Sequence, residues 1–324
     1  MSARSPSIAC IGGATVDRTY RACASLAAGT SNPVIASARA FGGVARNVAE
    51  TLARLQVPAA LVSIVGDDEA GRDLATHLSA LGIAARIAVD RRHRTAEYVA
   101  VLQPSGELAF GLADMAIFDA LTGGVIDDAW PLLAAADWVF ADCNLPAETL
   151  QRLLAARGEQ ASFKLAVDAV STHKAARLPQ DLAGVDLLFA NRDEARAIGA
   201  AGLRPEGSDE AFARGILARG AGAVVVTLGA QGALAATGTA MAALPAVAAE
   251  IVDVTGAGDA LIAGTLSELL QGATLPDALA TGLLSASLTV ESPGSVRPDL
   301  SPGLLQATRH RIQALCRSCE GLRP

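Results

Sequence analysis

The chain has 324 residues, 51% of them hydrophobic and 18% charged, and its formal net charge is −7. This composition excludes a disordered chain and provides for a large core, and the acidic balance argues against a nucleic-acid-binding surface. Lys164 and Lys174 are its only lysines and no Gly-Lys-Ser/Thr triplet occurs, which excludes a phosphate loop of the Walker type.

Cysteine usage and the apolar stretches predict a cytoplasmic protein. The five cysteines are dispersed, as expected in a reducing compartment, and Cys316-x-x-Cys319 has no second pair that would favour a zinc site. Residues 1–7 contain no apolar stretch of the length that a signal peptide needs. The charge-free interval 220–249 is broken by glycines and Pro245, so it predicts buried strands and no membrane span.

The first predicted strand is the apolar run Ile8-Ala9-Cys10-Ile11, which ends at Gly12-Gly13. A dinucleotide-binding fingerprint would need Gly-x-Gly-x-x-Gly leading into a helix. Here the glycines lead into polar, irregular sequence, so we exclude that site. The segment 15–41, which contains Asp17, is predicted to form strands and loops outside the regular alternation.

An amphipathic helix is predicted after Gly42-Gly43, with Val44, Val48 and Leu52 at helical spacing. The two glycines allow another molecule to approach the backbone closely. Asn47 lies one turn into this helix, where its amide can offer a donor and an acceptor to a diol. The alternative is an ordinary, internally satisfied helix asparagine.

The next elements are a strand at 60–66, a helix at 69–81 for which Asp67 is the predicted cap, and a strand at 83–89. Residues 95–101 and 107–112 flank Pro104-Ser105-Gly106, which indicates a hairpin. This hairpin interrupts the strand–helix alternation. Together with 15–41 it is expected to form a small separate sheet.

Strand–helix alternation resumes in the second half of the chain and predicts a mostly parallel sheet between helices. In such sheets ligands bind at the carboxyl ends of the strands. The predicted strands are 138–141, 165–168, 187–190 and 223–228, with hairpin strands to about 247; the predicted helices are 146–157, 192–198, 257–270, 275–290 and 302–316.

The stretch Val252-Asp253-Val254-Thr255-Gly256-Ala257-Gly258-Asp259 opens an apolar helix. Thr255 is a predicted cap, and the glycines allow a tight turn whose N–H groups, at the positive end of the helix dipole, can hold an anion. Beside such a nest, Asp259 can act as a base that deprotonates a hydroxyl. From the local chemistry alone, an ordinary solvated first-turn carboxylate remains equally possible.

Taken together, Gly42-Gly43 with Asn47 and the segment Asp253–Asp259 resemble the two signatures of the ribokinase-like (PfkB) sugar and nucleoside kinases. The resemblance covers nearly the whole chain. It implies a three-layer α/β/α core with a mostly parallel sheet, formed by residues 1–14, 42–93 and 116–324. Residues 15–41 and 94–115 would form a β-sheet lid that excludes water from phosphoryl transfer.

The resemblance also implies roles for individual residues. Asp259 would be the general base, and the amides of Gly256, Ala257 and Gly258 would hold the γ-phosphoryl group of ATP. Glu194, in the sequence Asn191-x-x-Glu194, would organise Mg²⁺ through water. The remaining implied residues are Asp17, Asn32, Gly42, Gly43, Asn47 and Asp114 for the acceptor, Asn191, Thr227, Gly229 and Gly232 for the nucleotide, and Asp253 and Thr255 for a possible K⁺.

Several further stretches are more similar to pseudouridine kinases than to ribokinase or fructokinase, which implies phosphorylation of pseudouridine at its 5′-hydroxyl. The alternatives are a kinase of another sugar or nucleoside on the same scaffold, and a non-catalytic sugar-binding or nucleoside-binding regulator. A homodimer through the lid is a further expectation, because exposed sheet edges pair readily. The stretches are 31–33, 43–50, 113–115, 142–145 and 167–174.

Overall fold

The computed structural model describes residues 7–160, 162–200 and 207–312. Cys316, Cys319 and the end of the predicted last helix lie outside these ranges. The strands are β1 (Ile8–Ile11), β2 (Thr15–Ala22), β3 (Val34–Gly42), β4 (Ala59–Gly66), β5 (Ala84–Asp90), β6 (Glu97–Leu102), β7 (Leu108–Asp114), β8 (Trp138–Asp142), β9 (Lys164–Asp168), β10 (Leu187–Asn191), β11 (Ala223–Thr227), β12 (Ala233–Thr237) and β13 (Met241–Leu244).

The α-helices alternate with these strands in most of the chain. They are α1 (Val44–Arg54), α2 (Glu69–Ala80), α3 (Gly123–Ala134), α4 (Ala147–Gln160), α5 (Thr172–Ala175), α6 (Arg192–Gly199), α7 (Asp209–Ala218), α8 (Ala257–Leu270), α9 (Leu275–Val290) and α10 (Pro302–Thr308). No described helix combines the length and apolar character needed to cross a bilayer.

The main sheet has nine strands in the order β13-β12-β11-β10-β9-β8-β1-β4-β5, parallel except at β12 and β13. Its inner strands are buried on both faces, because alternate residues enter two separate cores. Helices α3, α4, α6 and α7 cover one face, and α1, α2, α8 and α9 cover the other. The predicted three-layer α/β/α core is therefore confirmed.

A second sheet of four strands, in the order β3-β2-β6-β7, stands apart from the core. It confirms the predicted small sheet, and we call it the lid. Strand β2 starts at Thr15, two residues after Gly13, and β3 returns the chain at Gly42 to the start of α1. One end of the lid is thus joined to the carboxyl edge of the main sheet.

Two predicted caps are wrong. The N-cap of α2 is Asp68, not Asp67. The Asp68 carboxylate accepts a hydrogen bond from the N–H of Gly71 in the first turn of the helix. Gly256, not Thr255, is the N-cap of α8, and no side chain caps that helix. Gly256 adopts the left-handed conformation, with φ of 75°, which favours glycine at this position.

Helices α3 and α7 were not anticipated. Helix α3 begins with two glycines and contains Pro131, all of which are helix-breaking signals. The helix is nevertheless stabilised by burial of Ile126, Ala129 and Leu133 against the sheet. Tertiary packing therefore outweighs local propensity here.

Candidate active site

The candidate site begins at Asp142, the last residue of β8. Its carboxylate is fully buried and accepts hydrogen bonds of 2.9 Å from the backbone N–H groups of Gly13, Ala45 and Asn144. It thereby ties the loop after β1 to the first turn of α1. Burial raises the pKa of Asp142, and the three N–H donors oppose that rise.

The glycine pair before α1 permits a close approach of three backbone segments. Gly43 has φ of 93°, and a Cβ there would lie 2.5 Å from the carbonyl oxygen of Gly13. A Cβ at Gly42 would overlap the carboxylate of Asp17. Asp17 accepts a 2.7 Å hydrogen bond from the hydroxyl of Thr15, and burial raises its pKa. These residues bring the lid's first strand against α1.

Asp259 and Asn47 meet where α8 packs against α1. The Asn47 Nδ2 donates a 2.7 Å hydrogen bond to the Asp259 Oδ2, although 212 positions separate the two residues. Burial is the largest cause that raises the pKa of Asp259, and the charges of Asp142 and Asp17 act in the same direction. Asn47 and Arg46 oppose them, and the net pKa is about 7. A carboxylate with this pKa can accept a proton near neutral pH.

The start of α8 leaves several N–H groups without protein acceptors. The Gly256 carbonyl accepts from Ala260, and the Ala257 N–H makes only a long contact of 3.4 Å to Val254. Among the described residues no acceptor pairs with the amides of Gly256, Gly258 and Asp259. A Cβ at Gly258 would meet no atom within 4 Å. The turn is therefore an open nest of donors beside the Asp259 carboxylate.

Asn191 and Glu194 form a reciprocal capping box at the start of α6. The Asn191 backbone N–H and Nδ2 donate to the two oxygens of Glu194, at 2.8 and 2.6 Å. Glu194 is buried, and burial raises its pKa. The Asn-x-x-Glu sequence therefore has a local structural use that orients the carboxylate at the end of β10.

Asp168, at the end of β9, faces the same region. Burial first, and then the charges of Glu194, Asp259 and Asp142, raise its pKa well above the usual value. The ion pairs formed by the described residues include none to Asp168. Asp168 and Glu194 each offer carboxylate oxygens, the kind of ligand that Mg²⁺ prefers. No compact group of three or more direct metal-binding side chains occurs in the described ranges.

Thr227, Gly229 and Gly232 lie beside this acidic region. Thr227 ends β11 in register with Asn191 of β10. A short 3-10 turn, Gly229–Gln231, follows. Gly232 has φ of 100°, and a Cβ there would lie 2.6 Å from the backbone nitrogen of Ala246. Three of the four nucleotide residues inferred from sequence therefore lie in one loop at the carboxyl edge of the sheet, and the fourth, Asn191, ends the neighbouring strand β10.

Asp253 connects the segment before α8 to the turn after α9. Its two oxygens accept from the N–H groups of Thr255, at 2.9 Å, and Gly294, at 3.0 Å. Burial raises the pKa of Asp253, but these hydrogen bonds outweigh it and the net shift is downward. Asp253 therefore ties the segment before α8 to the turn after α9.

Asn32 and Asp114 are not brought to Asp259. The Asn32 side chain forms hydrogen bonds to Ala27 and Thr30 of its own loop. That loop precedes β3, whose nine residues span about 26 Å at 3.3 Å per residue and separate the loop from Gly42. Asp114 pairs with Glu97, whose other partner is Val16, so it lies on the face of the lid opposite to Asp17.

Three residues at this site had no role assigned from sequence: Asp142, Asp168 and Arg46. Asp142 and Asp168 pair in register at the ends of neighbouring parallel strands. An acidic residue that ends a buried strand was the available signal for both. Arg46 gave no comparable signal, because it stands in an amphipathic helix pattern where an arginine is usually solvated.

Comparisons with known proteins agree with this geometry. A family model described as pfkB family carbohydrate kinase matches residues 5–301. The chain is 29% identical over 265 residues to the pseudouridine kinase of Escherichia coli (strain K12), covering 80% of this chain and 83% of that protein. It is 30% identical over 265 residues to the fructoselysine 6-kinase of the same strain, covering 78% and 91%.

The likeness extends to solved structures. Arabidopsis thaliana ribokinase complexed with ribose and ATP superimposes with a TM-score of 0.78, covering 96% of this chain and 99% of that chain. Only 19% of the residues are identical, so this likeness shows the fold alone.

Proposed function

The chain belongs to the pfkB family of carbohydrate kinases and has the ribokinase-like fold, and from this premise we propose that it phosphorylates pseudouridine at the 5′-hydroxyl with ATP. As a member of the family it is a sugar or nucleoside kinase; the acceptor and the donor are the proposal. The observation that carries the catalytic part is the Asp259 carboxylate, which has a pKa of about 7 beside an open nest of N–H donors.

In the proposed mechanism Asp259 accepts the proton of the attacking hydroxyl as the oxygen bonds to the γ-phosphorus of ATP. The bond from that phosphorus to the β-bridging oxygen breaks, and ADP leaves with the electron pair. The amides at Gly256, Ala257 and Gly258 stabilise the charge on the transferring group. Asn47 holds Asp259 in place, and Asp17, Gly42 and Gly43 orient the acceptor's other hydroxyls.

Metal ions are part of the proposal. Glu194, with Asp168 beside it, would hold Mg²⁺ and its water, and that ion would neutralise phosphate charge. Asn191, Thr227, Gly229 and Gly232 would line the nucleotide. Asp253 and Thr255 would border a K⁺ site. Kinase assays over a range of Mg²⁺ concentrations test the Mg²⁺ site, and assays with Na⁺ in place of K⁺ test the K⁺ site.

The choice of pseudouridine is supported by the match to the E. coli pseudouridine kinase and by the stretches that resemble such enzymes. A kinase of another sugar or nucleoside is the runner-up, because the fructoselysine 6-kinase is equally similar. A silent binding protein is disfavoured, because a binder needs neither a base at Asp259 nor an open amide nest.

One acceptor panel tests the proposed function. Purified protein is assayed with ATP and Mg²⁺ against pseudouridine, uridine, adenosine, ribose, fructose and fructoselysine. We expect the highest kcat/KM with pseudouridine. Efficient phosphorylation of a different acceptor, with pseudouridine unchanged, would refute the substrate and leave the kinase assignment intact.

Replacing Asp17 with asparagine is expected to raise the acceptor KM by about 10- to 100-fold with a smaller change in kcat. The carboxylate is an acceptor-only group placed against Gly42, and loss of one charge-assisted hydrogen bond has this magnitude. Initial rates over a range of acceptor concentrations measure it. Glu107→Gln, in the exposed turn of the lid, is the control; equal KM values for the two variants would remove Asp17 from the acceptor site.

We also propose a homodimer through the lid. Its support is a set of exposed apolar side chains on the two edge strands of the lid, β3 and β7, since apolar exposure at an open strand edge favours pairing with another chain. These residues are Val34, Ile35, Leu108, Phe110 and Leu112, all about half exposed or more. Sedimentation equilibrium of the wild type and of Phe110→Asp tests it: a dimer that the substitution dissociates is expected, and a monomeric wild type would refute it.

A further inference from the structure

The residue before Asn47 is an arginine whose surroundings the mechanism does not explain. Arg46 is only 3% exposed. Its Nη1 donates hydrogen bonds of 2.7 Å to the Asn47 Oδ1 and to the Phe41 carbonyl oxygen, and its Nη2 pairs with Glu50. Burial lowers the pKa of Arg46 although the charge of Glu50 opposes this. Burying a guanidinium is costly, so a specific use is expected.

Glu50 anchors the other side of Arg46. Its Oε1 accepts from Arg54 at 2.6 and 2.9 Å, and its Oε2 lies 2.9 Å from the His77 Nε2. Contacts therefore run without interruption from Glu50 through Arg46 and Asn47 to Asp259. All of these residues except Asp259 lie on α1 or α2.

The contact with Arg46 decides which way the Asn47 amide points. An amide presents an oxygen acceptor on one side and an NH₂ donor on the other, whereas a guanidinium offers donors only. With Arg46 at the oxygen, Nδ2 must face Asp259. The Ser295 hydroxyl also lies 3.3 Å from the Asn47 Oδ1, but a hydroxyl can donate or accept and so permits either orientation.

We propose that Arg46 is a positioning residue for phosphoryl transfer, because it fixes the Asn47 amide with Nδ2 toward Asp259 throughout the reaction. Before proton transfer the Asp259 carboxylate by itself selects the NH₂ group. After transfer the protonated carboxyl can donate, and without Arg46 the amide could rotate to accept from it. That rotation would stabilise the protonated base and slow its return to the carboxylate form.

Charged groups around the base determine how Arg46 affects its protonation. Arg46 lowers the pKa of Asp259 from α1, whereas Asp142 from β8 and Asp17 from β2 raise it. Asp168 from β9 adds a further negative charge nearby. Around Arg46 itself lie Glu50, Arg54 and His77. Loss of the Arg46 charge is therefore expected to move the Asp259 pKa upward.

The test uses Arg46→Gln, which keeps a polar side chain but removes the charge and the donor-only character. We expect kcat to fall about 10- to 100-fold, the size of one lost hydrogen bond to a charged group, and the acid limb of the kcat profile to move to higher pH. Arg46→Lys keeps the charge, so it should restore the acid limb while recovering only part of kcat. Arg152→Gln removes an equal charge from an exposed ion pair with Asp127, outside this network, and should change neither.

A double variant separates positioning from general support of the fold. If Arg46 acts through Asn47, adding Arg46→Gln to Asn47→Ala should change kcat less than about twofold. Independent, multiplicative losses would overturn the inference, as would an unshifted acid limb in Arg46→Gln. Thermal melts identify any variant that fails to fold. If Arg46→Gln fails to fold, Arg46→Lys replaces it in the comparison with the wild type.

The inference rests on the proposed role of Asp259 but not on the choice of pseudouridine. The assays use whichever acceptor of the panel the wild type phosphorylates. A readout without any acceptor is the titration of Asp259 by NMR with ¹³C-labelled aspartate. A higher Asp259 pKa in Arg46→Gln than in the wild type is expected, and equal values would overturn the inference whatever the acceptor.

Discussion

Replacing Asp259 with asparagine is expected to lower kcat by about 100-fold or more while acceptor binding is largely retained. The amide has nearly the same shape and can still accept from Asn47, but it cannot take the proton of the attacking hydroxyl. Single-turnover rates measure the chemical step, and equilibrium binding measures the affinity for the acceptor. Wild-type activity itself should fall as the pH drops through about 7, because Asp259 then becomes protonated.

The same variant should be more stable than the wild type above pH 7. Burial raises the Asp259 pKa from 3.8 to about 7, so the folded state disfavours the ionised form. The stability associated with this group is complete below pH 3.8 and is lost as the pH rises through about 7. Asparagine cannot ionise, so the variant keeps its stability at high pH. Thermal melts at pH 8 should therefore show a higher Tm for Asp259→Asn than for the wild type.

Asp277→Asn is the matched control. Asp277 is also a first-turn acid, in α9, where it accepts a hydrogen bond from the Thr274 hydroxyl at 2.7 Å. It represents the alternative that a first-turn aspartate is merely solvated. We expect its kcat to match the wild type. Equal activity of the Asp259 variant would mean that the base lies elsewhere.

The second large effect is expected at Gly256. Alanine there must adopt a φ of 75°, and its Cβ would overlap the backbone carbonyl of Ser295. A left-handed non-glycine residue costs about 1–3 kcal/mol, and the overlap also displaces the turn that presents the N–H groups. Gly256→Ala should therefore lower the free energy of unfolding by about 2 kcal/mol or more and nearly abolish activity, as measured by urea unfolding and kinase assay.

Gly258→Ala is expected to change the site without destabilising the fold. A Cβ at Gly258 meets no protein atom within 4 Å, and alanine favours helix by about 1 kcal/mol, so stability should be unchanged or slightly higher. The added methyl group would occupy the open nest, and we expect kcat/KM for ATP to fall about tenfold or more. Normal kinetics in a stable Gly258→Ala would show that no phosphoryl group approaches this amide closely.

Much of the architecture was determined by the sequence itself. The strand–helix alternation, the separate lid strands and the limits of α8 and α9 follow from short-range periodicity, breakers and capping. The glycine pair and the Gly-Ala-Gly-Asp segment identified both halves of the candidate site, because Gly43 and Gly256 adopt positive φ, a conformation that favours glycine.

Only the tertiary structure decided how these residues meet. The hydrogen bond between Asn47 and Asp259 spans 212 positions, and those of Asp142 to Gly13 and Ala45 span 129 and 97. All three depend on helix packing and strand register between distant parts of the chain. The same long-range register turned Asp114 to the opposite face of the lid. It also buried Arg46 next to the base, where a sequence pattern alone predicts a solvated charge, because burial is decided by which helix α1 packs against.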